Sequence, residues 1–209
     1  MIKLLLLTFG ITSALFAQMG VYKLSDNIQH TMKKAGSWKK GCPVPLNDLR
    51  YLKLPYLDFE GKTQQGKMVV HKDVAEEVVD IFDELYKIGY PIHHMRLVSY
   101  YKGNDWQSIE ADNTSAFNCR NATGSKKWSK HSYGKAIDLN SIENPYISRS
   151  GRISHKASLQ YRKRVHKKDT PADKAVLLKH DQATQIFKKY GWKWGGDWSG
   201  VKDYQHFSK

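Results

Sequence analysis

One amphipathic segment, residues 73–89, constrains the fold more than any other part of the chain. Asp73 and Glu76 predict a capped start of a helix, and Gly89 predicts its end. The apolar residues of the segment recur at steps of three and four: Val74, Val78, Ile81, Phe82, Leu85 and Ile88. This spacing is typical of a helix with one buried face. Such a face needs a partner layer, so we expect the helix to cover a β-sheet.

The remaining patterns supply that sheet and a second helix. Residues 179–190, followed by Gly191, predict the second helix. Pro55 suggests that the first strand lies at an edge, whereas residues 91–101 alternate as a central strand does. The expected strands are 49–59, 67–71, 91–101, 136–139 and 192–196. Together these elements predict an α/β (α+β) fold with a small, mostly antiparallel sheet and a metal cleft across it.

The first 17 residues predict a secretory signal peptide. Lys3 precedes a run of about a dozen apolar residues and is the only charge before Lys23. A spanning helix needs about 20 apolar residues, so we expect cleavage before Gln18 rather than anchoring, and a periplasmic or secreted protein. The roughly 190 residues that remain suit one domain. We expect a polar, irregular arm at 18–40, continuing irregularly to residue 48, and a single domain at 41–209.

The chain is strongly basic, with a formal net charge of +14 that becomes +13 without Lys3. This surface attracts polyanions: nucleic acid, anionic lipid or the carboxylates of cell-wall peptides. Export argues against nucleic acid. Cations concentrate at 146–175, where no apolar period is visible. This segment is interpreted either as a solvated surface loop or as an insertion that steers substrate or binds the wall.

Two cysteines, Cys42 and Cys119, form an even count in a chain expected to be exported. An oxidising compartment favours one disulfide between them, and two buried thiols are the alternative. The tryptophans Trp192, Trp194 and Trp198 alternate in a late strand. We interpret them as core residues, although aromatic rings of this kind also stack on sugars.

Candidate metal ligands occur between Ser129 and Asp138. His131 and Asp138 supply a nitrogen and an oxygen ligand, both of which zinc accepts. Gly134 and Ala136 are small, which would let the backbone pass close to an ion. A catalytic zinc site has three protein ligands and leaves one position open, so one further ligand is required.

The C-terminal segment offers that ligand. His206 is a candidate third ligand, and Asp203, three residues earlier, is a candidate catalytic base. Positions three apart in an extended strand face opposite ways. The hypothesis therefore requires a turn or bulge near Tyr204.

The pattern Ser-x-His-x-x-Gly-x-Ala-x-Asp at 129–138, followed by Asp-x-x-His at 203–206, resembles a known family. It is similar to the zinc D-alanyl-D-alanine carboxypeptidase and L-alanyl-D-glutamate peptidase family, which has the Hedgehog/DD-peptidase fold. Further similar segments are 42–45, 91–92, 113–120, 144–146 and 191–196. Two features depart from the family pattern and bear on substrate preference: Asp112 in place of an expected asparagine, and the basic residues 149–168.

The resemblance implies a role for each site residue. One zinc ion would be bound by His131, Asp138 and His206, with Asp203 as the base that serves its water. Arg120 would lie near the scissile carbonyl and stabilise an oxyanion or hold a substrate carboxylate, unless it is only a structural ion-pair partner. Ser115 and Ser129 are expected to contact the substrate. Ser129 is also expected to shape its own loop.

The resemblance also implies a substrate, the stem peptide of peptidoglycan. The bond would be D-Ala-D-Ala or, as in related enzymes, L-Ala-D-Glu. Two alternatives remain: a zinc-containing wall-binding protein without turnover, and a basic interaction protein that shares only the fold. We expect a monomer with no stable membrane anchor and no nucleic-acid partner.

Overall fold

The computed structural model describes residues 18–166 and 168–209. The predicted signal peptide therefore lies outside the described residues. The helices are α1 Asp26–Lys34, α2 Ala75–Lys87, α3 Asp105–Glu110, α4 Pro171–Lys174 and α5 Gln182–Lys189. The strands are β1 Gly20–Lys23, β2 Leu49–Leu57, β3 Thr63–His71, β4 His94–Met95, β5 Asn113–Thr114, β6 Ala136–Asp138, β7 Tyr146–Ile147, β8 Lys193–Trp194, β9 Lys202–Asp203 and β10 His206–Ser208.

These strands form four small sheets. One antiparallel sheet has the order β1-β2-β3 and another the order β6-β10-β8; β7 pairs with β9 antiparallel, and β4 pairs with β5 in parallel. The predicted α/β fold with small, mostly antiparallel sheets is confirmed. Within the described parts of the chain, no helix is long and apolar enough to cross a membrane.

Strand β2 is buried on both faces, which explains its high apolar content. Leu52 and Leu54 face a core shared with α2, whereas Leu49 and Tyr51 face a second core beneath α1. The edge position predicted from Pro55 is wrong, because β1 covers one side of β2 and β3 the other. Strand β1 pairs only as far as residue 53, so the proline lies where no hydrogen bond to β1 is needed.

Helix α2 has the predicted buried face, but its start and one end residue differ from the prediction. Ile88, which was predicted to lie on the buried face, is 41% exposed. Asp73 does not cap the helix; its carboxylate pairs with Lys135, and the His71 ring accepts the Asp73 backbone N–H instead. Phe187 on α5 packs against Phe82 of α2 and stacks on Phe207 of β10. The two helices thereby cover the sheet that carries the C-terminal strand.

Three further predictions need correction. The irregular arm at 18–48 contains β1 and α1, because Leu24 and Met32 bury apolar surface in the second core. The strand at 91–101 is reduced to β4, and a 3-10 helix, Val98–Tyr101, follows it. The unpatterned segment 146–175 contains β7, α4 and a 3-10 helix at Lys156–Tyr161.

Candidate metal centre and active site

Three side chains from two paired strands and one turn meet at a single point. Strands β6 and β10 are antiparallel, and their register places His206 directly opposite Asp138. His131 precedes β6 on the 3-10 helix Lys130–Tyr133, whose N-cap is Ser129. All three side chains are buried, and their ligand atoms lie within 4.8 Å of one another. The structure therefore brings together the three residues that the sequence proposed as metal ligands.

The distances between these atoms fit one zinc ion. Asp138 Oδ2 lies 3.1 Å from His131 Nε2, and Asp138 Oδ1 lies 3.0 Å from His206 Nδ1. The two ring nitrogens are 3.2 Å apart. Bonds of about 2.0–2.1 Å in tetrahedral geometry put ligand atoms about 3.3 Å apart. Two imidazole nitrogens and one carboxylate oxygen are also a donor set that catalytic zinc accepts, with a fourth position left open.

The surrounding backbone fixes the His131 ring for metal binding. Its Nδ1 lies 2.6 Å from the Ala116 carbonyl oxygen, an acceptor, so Nδ1 carries the proton and Nε2 presents its lone pair to the site. Burial lowers the pKa of His131, but the Asp138 carboxylate more than compensates, and the pKa lies above its usual value. Burial alone would raise the pKa of Asp138, yet the two histidines hold it far below its usual range. The site thus contains a carboxylate suited to a cation.

Gly134 has a different role from the predicted one. It adopts φ 65° at the end of the 3-10 helix, and a Cβ atom there would lie 2.6 Å from the His71 backbone nitrogen. The glycine therefore allows the loop to pack on β3, whose His71 N–H donates to the Gly134 carbonyl. Close approach to an ion is not the reason for it.

The turn required between Asp203 and His206 is present. Strand β9 ends at Asp203, Tyr204 and Gln205 form a turn, and β10 begins at His206. The Tyr204 carbonyl accepts a hydrogen bond from the Trp194 indole, which fixes the turn. Gln205 donates to the Asp203 carboxylate over 3.2 Å. Both ends of the Asp-x-x-His motif can therefore face one cleft.

Asp203 has the electrostatic character of a base that operates near neutral pH. Burial, and then the nearby Asp138 charge, raise its pKa to about 6. A carboxyl group with this pKa is ionised at pH 7 yet accepts a proton more readily than an ordinary aspartate.

The ligands and Asp203 line one open cleft of about 530 Å³. Arg120 and Ser129 line it too, but Ser115 is not among the described residues around it. The Ser115 backbone instead pairs with Asp138 in both directions, at 2.9 and 2.8 Å. Contact of Ser115 with substrate stays a prediction, while its backbone pairing positions the strand that carries a ligand.

Arg120 takes part in an ion pair and also lines the cleft. Its Nη2 lies 2.8 Å from Asp105 Oδ2, and its Nη1 donates to the Asn121 carbonyl. The ion pair leaves the guanidinium in the cleft wall, and Nε is buried without a partner among the described residues. The ion pair is present in this structure, and contact of Arg120 with substrate stays a prediction.

The cleft also contains residues that the sequence did not single out. The aromatic rings of Trp106 and Tyr146 are 52% and 42% exposed and line its wall, as do Ile153 and His155 of the basic segment. Trp198 is not the core residue that we expected: it is only partly buried and lines the cleft, with its ring 5.4 Å from that of His206. By contrast Trp192 and Trp194 are buried, as expected. No periodicity marks the cleft residues, because the wall consists of short turns.

The basic segment is attached to the domain through Arg164. Its guanidinium donates to three carbonyl groups and to Asn144, and lies over the Tyr204 ring. Burial lowers the pKa of Arg164 to about 10. The segment is therefore not merely a solvated loop: it carries exposed cations outside and forms one wall of the cleft.

The Cys42 and Cys119 sulfurs are joined in a disulfide in this structure. It lies in the second core with Leu49 and Phe117 and ties the region after α1 to the residue before Arg120. The structure thus contains a covalent connection between the N-terminal layer and the edge of the cleft.

A comparison with family models matches residues 123–209 to the family described as D-alanyl-D-alanine carboxypeptidase. The matched segment contains His131, Asp138, Asp203 and His206, whereas Arg120 lies just before it. Comparisons with curated proteins and with solved structures found no match. This match confirms the resemblance noted in the sequence: residues 123–209 are similar to the D-alanyl-D-alanine carboxypeptidase family.

Proposed function

We propose that the protein is an exported zinc peptidase that hydrolyses the stem peptides of peptidoglycan. The observation that carries this proposal is the convergence of His131, Asp138 and His206 in a cleft that also holds Asp203. The family match over the same residues supports it. The strongly positive surface supports a substrate that carries carboxylates.

Zinc bound by the three ligands would supply a Lewis acid that polarises the carbonyl and activates water. The residues of the chain do the remaining work. Asp203 accepts a proton from the attacking water and returns it to the leaving amine as the C–N bond breaks. Gln205 holds the Asp203 carboxylate in position through their hydrogen bond. Arg120 donates to an anionic oxygen of the substrate.

The first candidate bond is D-Ala-D-Ala. The family description supports it, and the Arg120 fork beside the cleft is suited to the free carboxylate that such a substrate ends in. A second candidate is the L-Ala-D-Glu bond, favoured by the aromatic wall of the cleft, since this bond lies close to the sugar that carries the stem peptide. Both candidates require the same metal centre and the same base.

Digestion of defined muropeptides by the zinc-loaded protein, with products identified by mass spectrometry, tests the proposal. Loss of the terminal D-alanine supports the first candidate, and release of a peptide that begins with D-Glu supports the second. Full zinc occupancy without any product would contradict the peptidase and favour a wall-binding protein without turnover. A protein that binds no zinc would contradict the metal assignment itself.

A further inference from the structure

Trp106 is held in the cleft wall with one ring face supported. It is the second residue of α3, and its indole lies on the His155 ring, with the centroids 3.9 Å apart and the planes 34° from parallel. Glu110, one turn further along α3, accepts from His155 Nδ1 at 2.6 Å and fixes that imidazole. The basic segment thus supports a tryptophan supplied by α3.

The indole is nevertheless 52% exposed. A large aromatic ring that is fixed on one side and open on the other, inside a cleft, is a preorganised contact surface for a ligand.

We propose that Trp106, supported by His155, is a subsite for a pyranose ring of the glycan strand. This inference rests on the proposed function and deepens it by naming a second part of the substrate. The amino acids of a stem peptide have no rings, so the sugars are the groups of this substrate whose flat, CH-rich faces match an indole. Ser154 and Thr123 also line the cleft and offer hydroxyls to a polar sugar edge.

The position of the subsite bears on the choice of bond. Trp106 and the three ligands line the same cavity. An extended chain spans about 3.3–3.6 Å per residue, so the distance between a bound sugar and the cleaved bond grows with each residue between them. The L-Ala-D-Glu bond follows the first residue after the sugar, whereas D-Ala-D-Ala lies several residues further on. A sugar subsite here favours the second candidate bond.

The test compares two substrates that share one stem peptide, one with and one without the disaccharide of N-acetylglucosamine and N-acetylmuramic acid. The wild-type protein should show kcat/KM about tenfold higher for the sugar-bearing substrate, the change that one stacking contact gives. Trp106→Ala should reduce this ratio to near one, mainly through KM. Trp106→Phe should retain part of it. Tyr100→Ala is the matched control, since Tyr100 is 67% exposed and lies outside the described cleft lining.

A wild-type ratio near one, or an unchanged ratio in Trp106→Ala, would overturn the subsite. A loss in Trp106→Ala that is equal for both substrates would instead assign Trp106 to the peptide. Binding of the free disaccharide, measured by calorimetry, separates the subsite from the peptidase. Binding that Trp106→Ala abolishes supports the subsite even when neither peptide is cut, and no binding together with no cleavage rejects both proposals.

Discussion

Gly195 lies directly against Asp203. A Cβ atom at residue 195 would come within 2.3 Å of the Asp203 carbonyl oxygen and 3.0 Å of its Cβ. Backbone cannot yield as the end of a flexible side chain can, so a larger residue must displace the strand that carries the base. Gly195 therefore sets the position of the Asp203 side chain, eight residues further along the chain.

Gly195→Ala should reduce kcat while zinc stays bound. Displacement of a catalytic group by about 1 Å costs on the order of 100-fold, and the three ligands lie on other elements or beyond the turn at 204–205. Steady-state kinetics and metal analysis on the same preparation would check this. Unchanged kcat would show that the base tolerates displacement or is not Asp203.

Asp203→Asn should lower kcat by about 10²–10⁴-fold with zinc content unchanged, because the amide cannot accept the proton from water. The control is Asp197→Asn, which removes a carboxylate in the same segment that pairs with Lys188 outside the described cleft lining. Loss of zinc in the Asp203 variant would instead make this residue a ligand or a structural residue.

His206→Ala should lower zinc content well below one ion per chain, since two protein ligands remain. His180→Ala, at an exposed histidine, is the matched control and should keep its zinc. Elemental analysis after dialysis measures both. A His206 variant with full zinc occupancy would mean that the ion binds elsewhere.

Replacing Cys42 and Cys119 together by alanine should lower the free energy of unfolding by about 2–4 kcal/mol, because the 77-residue separation leaves a long loop unconstrained in the unfolded chain. Denaturant unfolding of the oxidised wild type and the double variant provides the comparison. Reduction of the wild type should reproduce the loss. Equal stability of all three forms would contradict a stabilising disulfide.

Glu143 should make stability fall as pH rises through the neutral range. Burial, and then the neighbouring Asp112 charge, raise its pKa to about 9 from 4.5, while Tyr161 offers a hydrogen bond that opposes the shift. At pH values between 4.5 and about 9, Glu143 keeps its proton in the folded protein but releases it in the unfolded chain. The free energy of unfolding therefore decreases as the pH rises through this range.

Glu143→Gln should remove this dependence and stabilise the protein most near pH 9. The amide carries no charge to bury and can donate to Asp112. Urea unfolding between pH 6 and 9 measures the slope, and the exposed Glu76→Gln is the control. If the free energy of unfolding changed equally with pH in the wild type, Glu143→Gln and Glu76→Gln, Glu143 would ionise normally.

The ligand set could be predicted from the sequence because each ligand lies in a short motif that resembles a family motif. His131 and Asp138 lie on one turn and the strand that follows it, and the turn needed before His206 follows from strand geometry. Helices α2 and α5 were predicted for a similar reason, since one apolar face leaves a regular pattern.

The cleft wall was not predictable in this way. Trp106 and His155 are 49 positions apart in a short helix and a turn, and only tertiary packing makes them neighbours. The two-residue strands β4, β7 and β9 are too short to show an alternation. The edge prediction for β2 failed because Pro55 lies beyond the residues that pair with β1, so a central strand can contain this proline.

The pairing of β6 with β10 has a consequence for how the protein matures. Asp138 and His206 are 68 residues apart and become neighbours only when β10 docks. Metal uptake and completion of the fold are thus one coupled equilibrium, in which free zinc concentration enters the stability of the native state. Chelation should loosen the C-terminal strand first, and the affinity for zinc should report how completely the chain has folded.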